Sequence, residues 1–234
     1  MKKWDAGIYP HGDLVQLSPR LWLVAGSLPR ITVPRNMVVY RLDDGDLFIH
    51  SGIALNDVGM SKLESLGAPK VLVVPNRFHR LDAMFYKERY PAIQVVCPSA
   101  ARERVEEIVP VDGDAEEVLP NLGIRCHVPR GIKPFELTYE LNLSPGSALV
   151  FTDVLFNLDH LPGFTGWLLR LVGNTGFFGI TRIGRFLFLK DRKFFKQWLL
   201  EAAENPNLRL ICVGHGSPIQ ENCSKRLREA ARRL

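Results

Sequence analysis

VLVVPNRFHRLD, residues 71–82, sets the reading of the whole chain. Val71, Leu72, Val73 and Val74 form an apolar, mostly β-branched run that reads as a strand buried on both faces, and Pro75-Asn76 cannot prolong it. Asn76, Arg77, His79, Arg80 and Asp82 therefore fall at the carboxyl end of a buried strand, just ahead of the helical pattern LDAMFYKERY, where α/β proteins build their sites. A helix that had begun by then would put His79 and Asp82 on one face. The same grammar recurs twice. In SALVFTDVLFN the apolar run 148–151 delivers Asp153 to a strand end. In LRLICVGHGSPI the run 208–213 delivers His215 between Gly214 and Gly216, which permit close backbone approach on both sides of it.

Outward from these stretches the chain alternates strands with helices. QLSPRLWLVAGSL and NMVVYRLDDGDLFIHSGI read as hairpins of an amino-terminal sheet, with Asp44-Gly45 at a turn. Asn56-Asp57 caps a helix over VGMSKLESLG that Gly67 closes, and Pro98-Ser99 opens another over AARERVEEIV. A strand pair, FELTYELNL and SALVFTD, turns through Ser144-Pro145-Gly146. Helices over DRKFFKQWLLEAAE and QENCSKRLREAARRL flank the last strand. At 234 residues and 46% apolar composition, the chain is expected to form one domain over 1–234, with an insertion at about 155–190. Its four cysteines form no CxxC pair, and MKKWDAG has no apolar run of a secretory signal, so a cytoplasmic setting is expected.

Residue type and position separate the site residues from bystanders. Asp153 could cap the turn after its strand, and its place in a second matching motif weighs against that. His215, held between glycines, reads as a ligand or general base. His79 is evenly balanced between a ligand and a solvated side chain. Glu136, between Phe135 and Leu137 on a strand, carries no metal signal of its own. Asp82 reads as surface, His127 and His160 as structural alternates, and Cys212 as core.

Together these segments resemble the metallo-β-lactamase superfamily, and within it the small DUF4336-type branch. The hairpins of residues 14–52, the strand and loop at 71–90, the VPRG segment at 128–131, Asp153 and the final GHGSPI carry the resemblance. Aligned on the strand end, the superfamily's T-H-x-H-x-D-H motif falls on residues 75–81 and finds none of its ligands, and the histidine of its third motif falls at Gly131. The resemblance implies a four-layer αββα sandwich and a metal-dependent hydrolase whose site is at most mononuclear. Its ion would be zinc, with iron, manganese or no metal as alternatives, and the substrate an ester, thioester, amide or phosphoester. His79, Glu136, Asp153 and His215 are the implied ligands, and Asp153 and His215 the catalytic pair. Loss of most of the superfamily's histidines admits another class: an inactive member that binds a ligand, membrane or partner.

Residues 155–190 are aromatic and glycine-rich. Arg170, Asn174, Arg182 and Arg185 break their apolar runs well short of the roughly 20 residues a membrane span needs. Residues 162–189 are expected to cover the site, with Arg182 or Arg185 and Asn76 meeting a small or anionic substrate, or to form a peripheral membrane contact or a homodimer. The net charge of +5 carries no strong nucleic-acid signal, because the basic tail suits a solvated helix end.

Overall fold

The computed structural model describes residues 7–29, 31–171 and 173–234. Residues 1–6, on which part of the reading against a secretory signal rests, lie outside them. The chain folds into two compact units, Met1–Ile124 and Arg125–Leu234.

The first unit is built on a seven-stranded sheet whose strands lie in sequence order: β1 Val15–Ser18, β2 Leu21–Leu28, β3 Ile31–Arg41, β4 Leu47–His50, β5 Pro69–Val73, β6 Gln94–Cys97 and β7 Gly113–Asp114. β1 to β4 pair antiparallel and β4 to β7 parallel. Gly45, at a φ of +91°, makes the β3–β4 turn that Asp44-Gly45 announces. Between the parallel strands run α1 Asp57–Leu66, α2 Ala83–Arg89 and α3 Arg102–Glu106, with α4 Ala115–Val118 after β7. The Asn56 side chain accepts from the Gly59 N–H at 2.8 Å, the expected cap of α1.

Two expectations fail here for one reason. Helix α2 begins at Ala83, so residues 75–82 stay irregular and His79 shares no helical face with Asp82. Freed from the helix, Asp82 turns inward. It is 1% exposed, pairs with the Arg35 guanidinium at 2.5 Å and accepts the Ala54 N–H at 3.0 Å. It is a buried ion-pair partner and not a surface group.

The second unit holds a four-stranded sheet in the order β13 Leu208–Cys212, β10 Ser147–Val150, β9 Thr138–Asn142, β8 Arg125–His127. β10 and β13 are parallel, and the other pairs antiparallel. Helices α7 Arg192–Ala202 and α8 Cys223–Arg233 contribute Phe195, Leu199, Leu227, Ala230 and Ala231 to a core that also takes Leu149, Phe151 and Ile211 from the sheet region. Spacing of i, i+4, i+7 and i+8 in α8, from Cys223 to Ala231, puts its buried residues on one stripe. Residues 155–190 fold into β11 Phe156–Leu158, α5 Gly163–Leu171, β12 Phe177–Gly179 and α6 Arg182–Phe188, with β11 and β12 paired antiparallel. Phe178 and Phe188 join the core of the unit, whereas Phe164, Trp167 and Phe186 are exposed. Among the described residues no helix is long and apolar enough to cross a membrane.

Candidate functional site

Asp153 and His215 meet because their strands run parallel in register. Val150 of β10 pairs with Cys212 of β13, and each of the two residues lies three positions beyond that pair. Sheet-like bonding continues past the strand ends, with Phe151 N–H donating to the Cys212 carbonyl at 2.9 Å and Gly214 N–H to the Thr152 carbonyl at 3.2 Å. Both side chains, each 8% exposed, come together with His215 Nε2 2.9 Å from Asp153 Oδ1.

Glycines make this approach feasible. A Cβ on Gly214 would sit 2.8 Å from the Thr152 carbonyl oxygen, and one on Gly216 would sit 2.0 Å from that of Asn157. Gly216 also has a φ of +104°, so Gly-His-Gly is required on both sides of the histidine. The imidazole is held from a third direction by Phe156, whose ring stacks on it at 4.7 Å and 10°. The His215 carbonyl accepts the Asn157 N–H at 3.1 Å, which ties the loop to β11.

Glu136 lies before β9 and not on a strand, so alternation along a strand does not govern it. It is 1% exposed. Its Oε1 accepts the N–H groups of Thr152, Asp153 and Val154 at 3.1, 2.9 and 3.0 Å, and its Oε2 also faces the Asp153 N–H at 3.0 Å. Three orphan backbone donors at the end of β10 are thereby satisfied by one carboxylate. Glu136 shapes the turn that presents Asp153.

In the first unit His79 is half-buried, with Nδ1 2.7 Å from Ser51 Oγ. Ser51 follows β4 and has a left-handed φ of +56°. β4 and β5 are parallel neighbours, so the residue after one strand meets the loop after the other. Asn76 is fully buried, and its side-chain oxygen accepts the N–H groups of Phe78 and His79 at 2.8 and 3.2 Å. It folds the loop that carries His79.

Other expected residues are placed elsewhere in the second unit. Arg182 is exposed at the start of α6, and Arg185 donates to the Arg233 carbonyl at 2.6 Å. His127 pairs with Glu140 at 2.9 Å, and His160 lies 3.1 Å from the Thr175 hydroxyl. Cys212 is buried, and that burial pushes its thiol up to about 12, consistent with an inert core residue. Sequence reasoning missed Ser51, Phe156 and the positioning work of Glu136.

His79, Asp153 and His215 each offer an imidazole nitrogen or carboxylate oxygen of the kind that binds zinc, iron or manganese. Within the second unit the Asp153–His215 pair fits such an ion. The fit is one of donor chemistry: the pair stands at hydrogen-bonding distance, 2.9 Å, and would open by about 0.5 Å to reach the roughly 3.4 Å between two tetrahedral zinc ligands.

No family model and no curated protein matches the chain. Solved structures do. The DIM-1 metallo-β-lactamase exposed to ceftazidime is 16% identical, covering 96% of this chain and 98% of its own, with a TM-score of 0.64. A metallo-β-lactamase from Erythrobacter litoralis with β-mercaptoethanol in its active site is 15% identical over 94% and 96%, at 0.63. FIM-1 from Pseudomonas aeruginosa, in its mono-zinc form, is 11% identical over 97% of each chain, at 0.62. The chain has the metallo-β-lactamase fold, the class that the resemblance implies. These likenesses do not reach to the DUF4336-type branch.

Proposed function

We propose that this chain is a metal-dependent hydrolase with one divalent ion, zinc before iron or manganese, held through Asp153 and His215. The observation that carries the reading is the Asp153–His215 contact at 2.9 Å, buried and fixed by two parallel strands, a carboxylate clamp and a stacked ring. Structural aspartates at strand ends need no such support. Glu136, first expected as a ligand, is assigned to positioning because both of its oxygens face backbone N–H groups.

The ion, when bound, would supply a Lewis acid that polarises an ester, thioester, amide or phosphoester and lowers the pKa of water towards about 7. The protein's own groups do the rest. His215 would hold the ion through Nε2, the nitrogen that faces Asp153 Oδ1, as a neutral imidazole with its proton on Nδ1. Asp153 would hold the ion through Oδ1 and accept a proton from the attacking water at Oδ2. In the first unit the Ser51 hydroxyl engages His79 Nδ1 at 2.7 Å and sets the ring's orientation. Phe156 excludes water from one face of the His215 ring. The four free cysteines, three of them buried, support a reducing cytoplasmic setting.

A panel of chromogenic esters, thioesters and phosphoesters tests the reading. Hydrolysis is expected to vanish on chelation and return with zinc in the wild type, but not in Asp153→Asn. Activity that survives chelation would overturn it. Metal retention without hydrolysis of any member would favour the non-catalytic binding module.

A further inference from the structure

Helix α5, Gly163–Leu171, is amphipathic in the wrong direction for a surface helix of a globular unit. Phe164, Trp167, Leu168 and Leu171 recur at i, i+3, i+4 and i+7, the spacing of a single face. That face is turned to solvent, with exposures of 76, 54, 46 and 59%. The side that packs inward carries Gly166, where a Cβ would stand 1.8 Å from the Leu161 carbonyl oxygen. A small residue faces the protein and the large apolar ones face out. Phe164 and Trp167 stack on each other at 5.7 Å, which keeps two aromatic rings together on that exposed face. Helix α6 adds Ile183 and Phe186, exposed by 55 and 84% and also i, i+3 apart.

Charge is segregated onto the same segment. Residues 161–196 hold seven lysines and arginines against a single acid, Asp191, a net +6, whereas the whole chain is +5, so the remaining residues sum to −1. Arg170 and Arg182 are exposed, and the Arg182 side chain lies against Gly173, just past the end of α5. The Arg185 pKa is lowered by burial and then by repulsion from Arg192 and Arg182, so these like charges crowd one another. Repulsion of this kind is tolerated where an anionic partner relieves it.

We propose that α5 and the start of α6 form a peripheral docking surface for an anionic lipid bilayer, with Phe164, Trp167, Leu168 and Leu171 entering the headgroup boundary and Arg170 and Arg182 meeting lipid phosphates. Aromatic and leucine side chains on one face with arginines alongside are the composition of a helix that lies in a membrane interface. A protein partner would need a matching apolar groove, whereas a bilayer accepts an exposed apolar helix face as it stands. The proposal is independent of the metal site.

Full-length protein would be sedimented with phosphatidylcholine vesicles with and without phosphatidylserine, and its oligomeric state measured by light scattering. The wild type is expected to pellet at least about tenfold more tightly with phosphatidylserine, and to be released by high salt. Phe164→Ser with Trp167→Ser, and separately Arg170→Gln with Arg182→Gln, should each weaken binding by roughly tenfold or more. All four side chains are exposed, so thermal midpoints should stay with the wild type, and the arginine pair keeps the test valid if the apolar pair perturbs folding. No pelleting with anionic vesicles would overturn the proposal. So would a wild-type dimer that Phe164→Ser with Trp167→Ser converts to monomer without any vesicle binding, which would give the surface to a second copy of this chain.

Discussion

Glu136→Gln tests how the site is built. The substitution keeps the shape of the side chain and one oxygen to face the N–H groups of Thr152, Asp153 and Val154, but removes the charge and turns an NH2 towards the Asp153 N–H. A hydrogen bond to a charged acceptor is worth about 1.5–3 kcal/mol and a neutral one about 0.5–1.5, so three weakened bonds cost roughly 3 kcal/mol. Glu136→Ala strands three buried donors and should cost more, on the order of 3–6 kcal/mol even with partial relaxation. Because the loss falls on the turn that presents Asp153, zinc affinity should drop as well, by about 10- to 100-fold, the usual effect of removing a group that orients a ligand. Urea unfolding of the metal-free protein gives the first quantity and competition with a chromogenic chelator the second. A Glu136→Gln protein within about 0.5 kcal/mol of wild type and with unchanged zinc affinity would refute the clamp.

Asp82→Asn leaves the Arg35 guanidinium buried without its counter-charge and should cost about 3–5 kcal/mol, while Arg35→Met with Asp82→Leu should recover most of that loss in thermal unfolding. Burial raises the Asp82 pKa despite Arg35 and the Ala54 N–H, a sign that desolvation is not fully offset, and this is why the apolar double variant is expected to do so well. Burial would raise the Glu140 pKa too, but bonds from His127 and Arg125 outweigh it and hold the carboxyl below its ordinary range. A depressed carboxyl stabilises the fold above its unfolded value of about 4.3 and loses that contribution as pH falls through the folded value. Wild type should therefore exceed Glu140→Gln in stability at neutral pH, and the gap should close below roughly pH 4; a gap independent of pH would contradict the assignment.

Much of this was legible in the sequence because it depends on local pattern. Three apolar runs that end in polar residues announce buried strands, and the equal offsets of Asp153 and His215 beyond β10 and β13 follow once those strands pair in parallel. The hairpin at Asp44-Gly45 and the Asn56 cap are likewise written within a few residues. What escaped depends on partners far along the chain. Asp82 turns inward towards Arg35, 47 positions away, and Glu136 reaches backbone donors 16 to 18 positions on, which no alternation of residues reveals. Residues 155–190 read only as an aromatic, glycine-rich segment, although Phe164, Trp167, Leu168 and Leu171 carry the spacing of the α5 stripe. A helix with one apolar face reads the same whether that face is buried or, as here, left exposed.

The central claim is a single ion held through Asp153 and His215, and elemental analysis of protein purified without chelator measures it most directly, before and after zinc reconstitution and with Asp153→Ala and His215→Ala alongside. The account predicts one equivalent of a divalent metal per wild-type chain and almost none in either variant, with far-ultraviolet spectra unchanged. Two equivalents in the wild type, none after reconstitution, or a full equivalent retained by both variants would contradict it.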